Sequence, residues 1–538
     1  MLTNRSDYYE TIPGESWLDA CRRLQIRGAL AVCVGGAVQG LTREARGDAR
    51  VLHYEDEEGR RVYERSTRFL MLLAARKALP GTRLRVENSI GEGLYVRCDP
   101  APVDTEALKA EMRRIAEAAL PFVPTTVSRE AAIEHFLSQG EPDTARLLRW
   151  RESPTFTLYD CGGVKDYFYG EMVPDTSYVS VFDITPIEDG FVLRLPDVRD
   201  LTSAARFTPP EKLLETFRES NRWNRILGVQ NASDLNELTK SGGLREFIRV
   251  NEALMDMRIN AIARSIREKG ARLVLIAGPS SSGKTTFCNR LAIALRVLGA
   301  RPVKLSLDDY YMDRDKAPLD EDGKPDLECV EALDTALIDT QLAAILRGES
   351  VEAPRFDFVA QKRSPLTHTV RVDTDAPILI EGIHALNPVL TESIPAKDKF
   401  KIYISALTNL NLDDHSRIRT TDARLIRRLV RDSAFRGTPV EETLDMWDSV
   451  RRGEDRFIFP YQEEADAMIN SALVYELAIL KKYIYPRLTA IPVSHPHYTR
   501  ARRLVKFLNY IQSADLEDEI PLNSLLREFV GGSCFEKD

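Results

Sequence analysis

Between Arg272 and Leu298 the chain passes from an unbroken apolar run, Leu273 to Ala277, through a Gly- and Ser-rich stretch into a segment where Phe287, Leu291, Ala294, Leu295 and Leu298 recur at helical spacing. A short continuous apolar run predicts a strand buried on both faces, and the recurrence predicts one face of a helix, which Gly299 stops. From 271 to about 485 the pattern keeps alternating. VKLSL (Val303 to Leu307), PILIEG (Pro377 to Gly382) and KIYIS (Lys401 to Ser405) read as further strands between helical stretches. That alternation predicts an α/β fold with a parallel sheet, and such sheets gather ligands at the carboxyl ends of their strands.

The chain on either side is patterned differently. The first sixty residues alternate short apolar runs with turns (Ala29 to Val34, Gly35-Gly36, Val38 to Leu41, Val51 to Tyr54), predicting a small mixed sheet that carries a helix around Trp17 to Leu24. Residues 206–270 turn polar and helical, with Ile248, Met255, Ile259, Ile262 and Ile266 at helical spacing. The pattern is too short for a coiled coil, so a connector packed on the next domain is expected. After Tyr485 two short helices are predicted near 499–513 and 521–529, with His495 and His497 in a loop and Arg500, Arg502, Arg503 and Lys506 on a solvated helix face.

Composition narrows the class. A chain of 538 residues exceeds one hydrophobic core and implies three or four domains. With 43% hydrophobic and 29% charged residues it reads as globular, and its net charge of −8 argues against nucleic acid or an anionic membrane as a bulk electrostatic partner. The polar start MLTNRSDYYE lacks the features of a signal peptide, and no apolar run reaches the length of a membrane span. Seven dispersed cysteines, without metal or redox spacing, read as reduced thiols, so a cytoplasmic location is expected.

The candidate chemistry starts at Gly278 to Thr285, which fits G-x-x-x-x-G-K-[ST] at every fixed position. In that pattern Gly278, Ser280, Ser281, Ser282, Gly283 and Thr286 belong to a backbone cradle for phosphate oxygens. Lys284 reaches the outer phosphates, and the Thr285 hydroxyl is suited to magnesium. Asp308 and Glu381 close the second and third strands, where a base and a magnesium-organising group can approach a phosphate held by the loop. Arg424, Arg427, Arg428 and Arg431 then fall on one side of a helix, a solvated basic face in most chains and a cover for a triphosphate here.

Two resemblances add to this reading. GESWLDA, ALAVCVGGAVQGLT, VLHYEDEEGRRVYERST, VSREAAIEHFLSQGEPDTARLL and DYFYGEMVPDTSYVSVFDI look like the N-terminal TGS module and the second, editing-type domain of threonyl-tRNA synthetases, over roughly the first 190 residues. That family's editing ligands are two His four residues apart, then a Cys and a His four apart. Arg65, Phe69, Phe168 and Met172 stand at those places. Arg cannot act as a base at neutral pH, and Phe and Met transfer no proton. The module is therefore expected to be silent as an esterase and to serve assembly or binding.

Further on, GPSSSGKTTF, LSLDDYYMD, GKPDLECVEALD, PRFDFVAQKR, ILIEGIHAL, RLIRRLVRDSAFRG and ADAMIN resemble, in order, the motifs of the uridine kinase and phosphoribulokinase family of P-loop kinases. The resemblance implies transfer of the γ-phosphoryl group of ATP or GTP, with Mg2+, to a primary hydroxyl, the 5′-hydroxyl of a nucleoside in the uridine kinase branch. It implies Asp308 as the base, Asp326 with Arg424 on the ribose hydroxyls, and Arg427 with Arg428 and Arg431 as a lid over the phosphates. Tyr311 and Phe358 fit aromatic positions around a pyrimidine, while Phe356 replaces a common Tyr and Gln361 a base-contacting His.

The expected organisation is a TGS-like β-grasp domain (1–60), a synthetase second-domain-like α+β unit (61–205), a helical connector (206–270), an α/β P-loop kinase domain (271–488) and a helical tail (489–538). The expected partner is a small nucleoside, uridine or cytidine, with no membrane and with room for a homo-oligomer. A kinase for a sugar or sugar phosphate, and a nucleotide-gated RNA-binding switch, are the alternatives.

Overall fold

A computed structural model describes residues 2–4, 7–320, 323, 325–357, 360, 362–373 and 376–535. At the N-terminus five strands lie in the order Asp7–Tyr9, Leu2–Asn4, Ala49–Leu52, Ala31–Val34, Ala37–Gly40. The pairing is antiparallel except between Leu2–Asn4 and Ala49–Leu52. The helix Trp17–Arg23 packs on this sheet through the buried Trp17, and its N-cap Ser16 accepts the Asp19 N–H. This is the predicted mixed sheet with its helix.

The next unit wraps the long helix Glu57–Ala78 with a four-stranded sheet (Asp183–Ile187, Gly190–Arg194, Gly93–Asp99, Arg83–Ile90) and a three-stranded one (Val164–Tyr167, Thr155–Cys161, Val123–Ser128). Phe69, Phe168 and Met172 are buried within it, with the two rings 5.3 Å apart, and Arg65 donates to the Glu171 carbonyl. These are the four positions at which the resemblance led the editing ligands to be expected. Phe69, Phe168 and Met172 are part of the unit's apolar core, and Arg65 is half-buried beside them.

Helices Glu211–Ile226, Ala232–Ser241 and Leu244–Lys269 fill the stretch read from the sequence as a connector. The last of them buries Ile248, Met255, Ile259 and Ile266 in the same core as the helix Lys284–Val297. Arg290 of that second helix ion-pairs with Asp256 at 2.7 Å. None of the helices among the described residues is long and apolar enough to cross a membrane.

The central sheet is wholly parallel, in the order Val303–Ser306, Ile378–Glu381, Leu273–Ala277, Lys399–Ser405, Ala467–Asn470. The strand Leu273–Ala277 is buried at every position. Its two neighbours come later in the chain, so the strand order reverses beside it, and its carboxyl end opens into the crevice that this topology creates.

The C-terminal segment departs from expectation. The helix Tyr498–Leu508 ends early because Tyr510 and Ile511 turn into the core, and the Gln512 N–H donates to Asn236. The helix expected over 521–529 is confined to Arg527–Val530. Burial of Leu525 and Leu526, together with the Ser524 hydroxyl donating to Glu252, holds the preceding residues in turns. The basic face expected on the first of these helices is half-buried, apart from the exposed Arg502. Arg503 pairs with Glu57, Glu58 and Asp422, and Arg500 with Glu57 and Asp448, so these charges tie the tail to both halves of the chain.

Candidate functional site

The phosphate-binding loop is shaped by steric necessity. A Cβ on Gly278 would lie 1.9 Å from the Ile404 carbonyl oxygen of the neighbouring strand, so only glycine fits. Gly283 has φ +84, and Ser281 is held at φ +59, a conformation that costs a non-glycine residue energy unless its surroundings impose it. Ser281 and Ser282 are buried. The helix Lys284–Val297 starts directly from Gly283, which has no side chain to cap it, so its first N–H groups face the crevice.

Buried ion pairs hold the loop from beneath. Arg424 donates to the Ser280 carbonyl (3.0 Å) and is clamped by Glu454, which also accepts the Ser280 N–H (3.1 Å) and pairs with Arg451 (2.7 Å). Arg427 donates to the carbonyls of Ser281 (3.3 Å) and Ser471 (2.9 Å) and is paired with Glu476. Arg424 is 1% exposed and Arg427 is fully buried. The resemblance implied ribose contact for the first and a lid for the second; the structure places both under the loop, because Glu454 and Glu476 supply the counter-charges that draw them in. Arg428 and Arg431 are the helix arginines on the open side. Arg428 donates to the Ser280 hydroxyl (3.0 Å), and Asp432 holds both side chains.

Across the crevice, Glu381 Oε1 accepts hydrogen bonds from Thr285 Oγ1 (3.2 Å) and Ser306 Oγ (3.1 Å). Burial, reinforced by the charge of Asp308, pushes the Glu381 carboxyl up to about 7 despite Lys284. Asp308, on the one-turn helix Leu307–Tyr310, is likewise raised by burial, against the opposing pull of Lys284, Arg436 and Arg431. Two carboxylates that repel each other beside a hydroxyl oxygen offer a hard, oxygen-rich set, and a divalent cation would relieve that repulsion; the residues therefore fit Mg2+. Lys284 Nζ donates to the Pro279 carbonyl at 3.3 Å.

The expected acceptor residues gather beyond Asp308. Tyr311 donates to the Leu327 carbonyl (3.1 Å), and its ring lies 5.8 Å from that of Phe356. Asp309 accepts the Phe356 N–H (3.2 Å), tying that hairpin to the acidic turn. Burial, with the charges of Asp308, Glu328 and Asp326, holds the Tyr311 phenol far above its ordinary range. Asp326 accepts the Glu328 N–H (3.0 Å). Phe358 and Gln361 lie outside the described residues.

Sequence reasoning missed Glu328, Glu454, Glu476 and Glu528. Burial pushes Glu328 up to about 7. Glu454, Glu476 and Glu528 lie on helices, where a Glu usually marks a solvated face and nothing in its spacing announces a buried partner. It also missed a cluster outside the loop, where ligand atoms of Glu141, Asp166 and His415 lie within 4.8 Å of one another. Burial opposes charge on His415, yet Asp166, Glu141 and Asp413 hold its pKa up to about 9. At neutral pH the His415 proton therefore provides the positive charge these carboxylates require.

A parallel sheet in this order, with a glycine-rich loop at its reversal point and carboxylates on the adjoining strand ends, defines the class of P-loop phosphate-binding proteins. The profile of the phosphoribulokinase / uridine kinase family matches residues 273–478. The uridine kinase of Staphylococcus aureus strain JH9 is 31% identical over 213 residues, 39% of this chain and 93% of that protein. The chain belongs to the phosphoribulokinase / uridine kinase family. Its N-terminal region is similar to threonine–tRNA ligases. That of Finegoldia magna is 29% identical over 187 residues, and that of Carboxydothermus hydrogenoformans 30% over 170. The chain spans only 29% and 27% of the length of those ligases. Among solved structures, D-glycerate 3-kinase from Cryptococcus neoformans is similar over 37% of this chain and 88% of its own, with 15% identity and a TM-score of 0.28.

Proposed function

We propose that the chain is a kinase that transfers the γ-phosphoryl group of ATP or GTP to the 5′-hydroxyl of a nucleoside, uridine or cytidine, in the cytoplasm. The observation that carries this reading is the meeting of Asp308 and Glu381 with Lys284 and Thr285 at the carboxyl ends of adjacent strands. In it, the loop from Gly278 to Thr286 cradles the phosphates and Lys284 neutralises charge on the transferred group. Asp308 accepts the acceptor hydroxyl's proton. Its raised pKa makes it a stronger base than an exposed carboxylate. Thr285 and Glu381 would hold Mg2+, which when bound supplies charge neutralisation across the phosphate oxygens.

Arg428 and Arg431 cover the phosphates from the open side. Arg424 and Arg427 keep the loop in shape as positioning residues. Tyr311, Phe356, Phe358 and Gln361 surround the base, and Asp326 takes the ribose hydroxyls. The chain divides at about 60, 205, 270 and 488, and the TGS-like and synthetase-like units act in assembly.

Glu328 favours a second reading in the same chemistry. An extra carboxylate beside Asp326 suits a polyhydroxylated sugar, since paired carboxylate oxygens accept vicinal hydroxyls. A panel of nucleosides and sugars, assayed with ATP and GTP, separates the two. Uridine or cytidine is expected to turn over, with Asp308→Asn and Lys284→Ala each slower by about a hundredfold or more. Turnover of sugars alone overturns the nucleoside assignment, and near wild-type turnover by Asp308→Asn removes it as the base.

A further inference from the structure

The first turn of the P-loop helix is already engaged by an anion, and that anion belongs to the chain itself. Glu528 Oε2, from the C-terminal helix Arg527–Val530, accepts the Thr286 hydroxyl (2.9 Å) and reaches its backbone N–H (3.4 Å). Thr286 is the third residue of a helix whose N-cap glycine offers no acceptor. N–H groups at this position, with the helix dipole behind them, are the donors a phosphate oxygen takes in a glycine-rich loop of this pattern. The same charge is felt deeper in the site, where it helps to raise the Glu381 carboxyl.

We propose that the Glu528 carboxylate occupies the α-phosphate position of the nucleotide site and must swing away before a nucleoside triphosphate binds, a reading that rests on the nucleotide site proposed above. A carboxylate and a phosphate cannot both take the Thr286 donors, and side by side they repel. The backbone beneath Glu528 is fixed. Leu525, Leu526 and Phe529 are fully buried, the Phe529 ring lies 5.0 Å from the Arg427 guanidinium, and Arg527 donates to the carbonyls of Glu517 and Ile520, both at 2.7 Å. The side chain itself is held, among the described residues, by the Thr286 donors alone. Glu454, the other carboxylate on a loop N–H, is clamped by Arg424 and Arg451, whereas Glu528 has no ion-pair partner among the described residues. Release is therefore a rotation of one side chain, and the tail stays docked. The C-terminal segment thus sets a threshold nucleotide concentration, below which the chain's own anion fills the first turn.

The test is calorimetric titration of full-length wild type, Glu528→Gln, Glu528→Ala and Lys284→Ala with Mg-ATP, together with melting curves of each protein alone. Glu528→Ala is expected to bind ATP about tenfold more tightly, the scale of one charge-assisted contact no longer displaced. Glu528→Gln, which removes only the charge, should also bind more tightly. Both variants should melt slightly lower without nucleotide, since the helix start loses its acceptor. A merely structural glutamate would lower the melt and leave the affinity alone. Unchanged or weaker ATP binding in both variants overturns the inference. If binding is abolished in Lys284→Ala, that failure leaves the nucleotide site standing; if Lys284→Ala binds as wild type does, the nucleotide reading falls and the inference with it.

Discussion

Replacing Glu454 by Gln tests whether the loop is shaped from below. Glu454 is fully buried; it pairs with Arg424, itself 1% exposed, and with Arg451, and it accepts the Ser280 N–H. Burial by itself would raise its carboxyl, but the two arginines outweigh that and hold it below the usual range. The amide has nearly the same shape and no charge, so Arg424 is left buried with the Ser280 carbonyl and the Trp447 ring, 5.7 Å away, as its surroundings. Breaking a buried pair from one side costs about 3–5 kcal/mol. For a folding unit of roughly 200 residues that lowers Tm by at least about 6 °C. Scanning calorimetry of Glu454→Gln, Arg424→Met and the double variant closes the cycle. The double variant is expected to cost less than the sum of the singles by about 2 kcal/mol, because it leaves no orphaned charge. Additive losses, or a Glu454→Gln variant that melts with the wild type, would refute the buttress.

Two further outcomes follow from the same structure. His415 is raised from 6.5 to about 9 in the folded protein, so its contribution is complete below about pH 6.5 and is lost as the pH rises through 9. In His415→Asn, denaturant unfolding followed across that window should lose a slope worth about 3 kcal/mol; an identical slope in wild type and variant would contradict the assignment. Gly278→Ala should destabilise by about 3 kcal/mol or more, since its methyl would meet the Ile404 carbonyl oxygen at 1.9 Å; a wild-type melt would show that the strand can yield.

Local pattern was enough for four of the five strands of the central sheet, Ala467–Asn470 being the exception, because a strand buried on both faces and a helix with one apolar face leave clear periods in the chain. It was enough for Gly278 to Thr285, where the chemistry of the loop is the conformation of its backbone. That Arg65, Phe69, Phe168 and Met172 move no proton at neutral pH is likewise a property of the side chains themselves.

Long-range burial decided the rest. Arg424, Arg427, Arg428 and Arg431 sit at the same helical spacing, and only Glu454 and Glu476, from helices further along the chain, separate the two drawn beneath the loop from the two left beside it. Arg500 and Arg503 read as solvent-facing until Glu57, Glu58 and Asp422 arrive from distant segments. Glu528 lies 242 residues from Thr286, with nothing in its local sequence to connect them. Helical and strand periods are properties of neighbouring residues and survive in one dimension. The partner of a charge is chosen by packing, and it exists only once the chain has closed on itself.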